Sequence, residues 1–157
     1  MDDHVIPHDR NATKLDAHTL STAISCLQAF LPTVIDPKAA LIHVVGEATH
    51  LNLLVDILRG RAEPEPPQLV RSLNAWSGSA NQSLLKGPSS TTLAVWAIEF
   101  LIASELALGR VPGRAANSSQ RAALAEQQVL IRRRLTPADL ERVTEPKLID
   151  RVLNAAR

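Results

Sequence analysis

Thr92–Gly109, TLAVWAIEFLIASELALG, is the most apolar stretch of this chain, and its only ionisable side chains are Glu99 and Glu105. The run has no polar–apolar alternation, which argues against a strand, and it is rich in Leu, Ala, Ile and Glu, which form helices well. Its boundaries carry punctuation. Ser89, Ser90 and Thr91 follow Gly87-Pro88 and can supply an N-cap, and Gly109 stands where a left-handed terminating residue belongs. A helix apolar nearly all round either crosses a membrane or sits in the middle of a bundle. At about 17 residues with two carboxylates, a span is short and costly. The expected solution is a buried central helix over about 91–109, covered by the rest of the chain.

Glu99 then poses a chemical problem. At 100° per residue it shares a face with Val95, Trp96, Ile102, Ala103 and Leu106, none of which can neutralise a carboxylate. An ionised carboxylate in an apolar interior costs several kcal/mol unless paired. Glu99 is therefore expected to meet a partner from another helix, to be protonated, or to face a wet interface. Glu105 points elsewhere and reaches solvent more easily.

The remaining segments read as amphipathic covers. A first helix is expected from about Leu15 to Leu31, with Thr13 as a candidate cap, a buried stripe of Leu20, Ile24, Leu27 and Leu31, and Pro32 forcing the end. Asp36-Pro37 opens a second, a cap followed by proline at the first helical position, and Gly60 stops it. After the stiff Glu63–Pro67 connection a third helix starts near Pro67 and buries Leu69, Leu73 and Trp76. Ser77-Gly78-Ser79 weakens or breaks it, or lets a neighbouring helix approach closely. Beyond an Arg110–Ser118 loop, a helix over about Ser119–Leu135 carries a thin stripe of Leu124, Ile131 and Leu135. Thr136-Pro137-Ala138-Asp139 restarts a short helix ending near Val143, and a last one reaches about Ala156. The fold expected is an all-α, single-domain bundle of five to seven helices over 13–157, preceded by a flexible arm over 1–12. No signal peptide is read at the N-terminus, so a cytoplasmic protein is the expectation.

Two features bear on function. The first is charge: the net +1 divides into 7 Lys/Arg against 11 Asp/Glu over 1–109, and 10 against 5 over the basic subregion 110–157. Arg121 and Arg132 share a helical line with Gln128, and Lys147 and Arg151 share another. These five form a candidate surface for a nucleic acid or an acidic protein partner. Arg132-Arg133-Arg134 fans over about 200° and is not one patch. Aromatics are 3% with no Tyr, against a stacking platform for single-stranded nucleic acid. The turn at Thr144-Glu145-Pro146 lacks the glycine usual in a helix-turn-helix.

The second feature is His43-x3-Glu47-x2-His50, three groups on one helical face, to which Glu99 could be added as a zinc or iron ligand. The pattern departs from known metal motifs. A carboxylate-bridged dimetal bundle needs two Glu-x-x-His units and this chain has one, and His-Glu-x-x-His is absent. Glu47 hydrogen-bonded to one or both histidines is the plainer reading. The lone Cys26, in an apolar helical context, excludes an intramolecular disulfide and reads as a small core residue. No nucleophile elbow, P-loop or dinucleotide fingerprint is present. The sequence thus points away from catalysis, towards a self-associating regulatory, adaptor or accessory protein. A metal-binding bundle or metalloenzyme is the alternative.

Overall fold

The computed structural model describes residues 14–32, 54, 56, 57, 60, 66–111 and 118–141. Among them the chain is all-helical, with five helices packed on one another. These are α1 (Ala17–Phe30), α2 (Pro66–Leu85), α3 (Ser90–Arg110), α4 (Ser118–Arg134) and α5 (Pro137–Glu141).

The apolar run becomes α3, and α3 packs against each of the other four. Every residue from Ala97 to Ser104 is buried, so the middle two turns are covered in all directions. With 21 residues the helix is long and apolar enough to cross a membrane. Shortness therefore does not exclude a span, since α3 starts one residue earlier and ends one later than the expected 91–109. In this bundle its midsection is covered by Leu20, Ile24 and Leu27 of α1, Leu69, Leu73 and Trp76 of α2, and Leu124 and Ile131 of α4, with Leu54 and Ile57 in the same core.

Most helix ends are decided by local chemistry. Ser89 Oγ accepts from the Thr92 backbone N–H at 3.2 Å and caps α3. Its C-terminus corrects the sequence reading: Gly109 is helical and not left-handed, and the helix closes at Val111, which is extended at φ −79°. Arg110 in the last turn suits the negative end of the helix dipole. The cap of α1 is Asp16, whose carboxylate accepts from Thr19 N at 2.7 Å; Thr13 lies outside the described residues. That backbone N–H, helped by the nearby Arg134 charge, holds Asp16 below the usual carboxylate range. Pro32 forces Leu31 into extended backbone (φ −76°, ψ 140°), and α1 ends at Phe30. Thr136 and Asp139 cap α5 reciprocally, Asp139 N to Thr136 Oγ1 at 3.1 Å and Thr136 N to Asp139 Oδ2 at 3.0 Å. Leu54, Asp56 and Ile57 are helical, and Gly60 follows at φ +80° with its N–H on Ile57 O at 3.1 Å, as expected of a stop.

The expected weak point in α2 is absent: Ser77-Gly78-Ser79 runs through without a break. Ser77 is fully buried, accepts from Gln28 Nε2 of α1 at 3.1 Å, and donates to Asn74 O at 2.8 Å. Gly78 faces the other way, exposed, and a Cβ there would meet nothing within 4 Å. An exposed helical glycine costs about 0.5–1 kcal/mol relative to alanine. Gly78→Ala is therefore expected to raise the urea midpoint by an amount worth about 0.5–1 kcal/mol. A lowered midpoint would mean that α2 needs this glycine for a close approach. Gly87, at φ +65°, is the glycine whose freedom is used: it ends α2, its N–H on Leu84 O at 3.3 Å, and turns the chain into Pro88.

Candidate functional site

Glu99 lies at the centre of α3, 3% exposed. Its partner comes from another helix, as its burial demands. The Trp76 indole Nε1–H of α2 donates to Glu99 Oε1 at 2.9 Å. Trp76 is itself buried, so the two groups solve each other's problem: a buried indole N–H needs an acceptor and a buried carboxyl needs a donor. Burial pushes Glu99 up to about 7, and the indole hydrogen bond, which favours the charged form, opposes that only in part.

One helical turn earlier, Trp96 stacks obliquely on Trp76, with ring centroids 6.0 Å apart and planes at 54°. Its own Nε1–H donates to Ser83 Oγ of α2 at 3.0 Å. Two indole hydrogen bonds, Trp76 to Glu99 and Trp96 to Ser83, thus cross the α2–α3 interface in opposite directions. Trp76 was legible as a core residue from its spacing with Leu69 and Leu73. Its role as the donor to Glu99 had one available signal: it is the indole on a stripe that must bury.

The α3–α4 interface holds a second polar contact. Gln128, 3% exposed, donates from Nε2 to Ser104 Oγ at 2.9 Å and towards Glu105 Oε1 at 3.3 Å, while Ser104 Oγ donates to Leu101 O at 3.1 Å. Gln128 extends the thin Leu124/Ile131 stripe inward. Of the candidate partner-binding line, Gln128 is thus the member whose amide is used inside the fold.

The arginines of α4 divide similarly. Arg121 Nη1 donates to Leu108 O, near the end of α3, at 2.9 Å, and its guanidinium carbon stands 5.5 Å from the Phe30 ring centroid of α1. It remains exposed while joining three helices. Arg134 Nη1 reaches back to Lys14 O at 3.2 Å and Thr19 Oγ1 at 3.0 Å, beside Asp16. Two cations of the basic subregion are therefore engaged within the bundle, and Arg134 also faces the Asp16 charge. Arg132 is half-buried, and Arg133 is exposed.

Lys147 and Arg151 lie outside the described residues, as do His43, Glu47 and His50. Of the proposed metal ligands the structure places Glu99 alone, against Trp76. Among the described residues no three His, Cys, Asp or Glu side chains are grouped to hold a metal ion. Cys26 is a free thiol, half-buried and packed against the core. No protein-family model, curated protein or solved structure matches this chain.

Proposed function

We propose that the chain acts by binding rather than by catalysis: a helical regulatory, adaptor or accessory protein that self-associates through its basic C-terminal region. The observation that carries this is the division of charge, 7 basic against 11 acidic residues over 1–109 and 10 against 5 over 110–157. An acidic protein surface is the partner such a region attracts, and the acidic portion of a second copy is the nearest one at hand. Arg121 and Arg134 spend hydrogen bonds on backbone carbonyls within the bundle. That favours a protein partner over a phosphate backbone, which rewards many unspent cations.

Size-exclusion chromatography with light scattering tests the proposal at low and high ionic strength. The expected result is an assembly larger than one chain that dissociates as salt rises, since screening shortens from about 10 Å at 0.1 M to about 3 Å at 1 M. Arg133→Glu, at an exposed position of α4, is expected to weaken it. A strict monomer at high concentration overturns self-association. Retention on DNA or RNA at low salt, lost in Arg133→Glu, would replace the protein partner with nucleic acid.

A further inference from the structure

The pair at the α2–α3 interface has a property that packing alone does not require. A carboxylate stable in an apolar interior normally accepts two or three hydrogen bonds or faces a cation. Among the described residues the donor to Glu99 is a neutral one, the Trp76 indole. No charged side chain among the described residues contributes to its environment. On α1 the charged groups gather at the N-terminal end, where Asp16 attracts Arg134 of α4. On α4, Arg121 lies on Phe30 and Leu108 O. Glu105, further along α3, is met by Gln128. Asp139 of α5 caps its own helix, and the half-buried Asp56 beside Leu54 and Ile57 does not act on Glu99 either. Protonation removes the charge while Oε1 still accepts the indole N–H, and the O–H it adds is less costly to bury than the anion. The ionised form carries the desolvation penalty of its burial, which only contact with water or a further donor would relieve.

We propose that Glu99 and Trp76 form a proton-controlled latch between α2 and α3, closed while the carboxyl carries its proton and loosened when it ionises. The second crossing, Trp96 to Ser83, moves with the first because the two indoles pack together. Loosening therefore opens the whole Trp76–Trp96 seam, an apolar surface covered in the closed form. Burial places the release near neutral pH, at about 7.

The test is made on the full chain. Infrared difference spectra are expected to show a protonated-carboxyl C=O band that fades between pH 6 and pH 8, and Glu99→Gln is expected to lack it. In the same interval hydrogen exchange of the α2 and α3 amides, each corrected for its intrinsic pH dependence, is expected to accelerate about tenfold in the wild type. That factor follows for a carboxyl at about 7 when closed and at its ordinary value when open. In Glu99→Gln the corrected rates stay level. Trp76→Phe removes the donor that favours the charged form, so its carboxyl band is expected to persist to higher pH. This variant, with the wild-type titration, keeps the test open should Glu99→Gln not fold. Absence of the band at pH 6, or equal acceleration in the wild type and Glu99→Gln, overturns the latch.

Discussion

Phe100→Ala is expected to cost about 3–5 kcal/mol, read as a lowered urea midpoint at unchanged slope. Phe100 is fully buried in the middle of α3, where residues on both sides in sequence are buried too. The void left by its ring cannot be filled by local collapse, because α1, α2 and α4 hold α3 from different directions. Against a typical total of about 5–15 kcal/mol, such a loss leaves a large unfolded fraction. Leu85 is the control. It is 87% exposed at the end of α2, and Leu85→Ser is expected to change stability by less than about 0.5 kcal/mol. Similar costs at the two positions would mean that α3 is not enclosed as described.

The second large effect is a loss of stability as pH rises. Glu99 titrates at about 7 in the folded chain, against an ordinary value of 4.5. Below the unfolded value both states hold the proton, and the buried acid costs nothing extra. Between 4.5 and 7 the unfolded chain releases its proton while the folded one keeps it, so stability falls with rising pH. Above about 7 both are ionised, and the whole penalty, about 3 kcal/mol, remains. Asp16 acts in the opposite sense: held low by the Thr19 N–H, it contributes stability above its unfolded value that is lost as pH falls. Urea unfolding is thus expected to give a maximum on the acidic side of neutrality, with about 2–3 kcal/mol lost between pH 5 and pH 8. Glu99→Gln retains an acceptor for Trp76 and removes the charge. Its stability is expected to be nearly level across that range and to exceed the wild type at pH 8. A wild-type profile that is flat or rising from pH 5 to pH 8 would show that the carboxylate is well paired.

What this sequence determined by itself is the set of features decided within a few residues. Pro32 ends α1, Ser89 caps α3, Thr136 and Asp139 cap α5, and the spacing of Leu20, Ile24 and Leu27 marks the face that buries. Each depends on groups one helical turn apart, so the chemistry is complete in the local string. The need of Glu99 for company was legible for a related reason: its own helix had nothing to offer.

Which company it received was decided only by tertiary structure. Trp76 is 23 positions away, and its distance from Glu99 exists only once α2 and α3 have packed. The same holds for Gln128, whose helical line is polar by sequence and buried because Ser104 waits on α3. It holds too for Ser77-Gly78-Ser79, a helix breaker by propensity that stays helical with Ser77 bonded to Gln28 of α1. Gly109, a terminator by residue type, continues its helix, which closes only at Val111. Local preferences of this kind amount to about 1 kcal/mol or less each. Burying one face of a helix is worth several times that, so where the two disagreed packing prevailed.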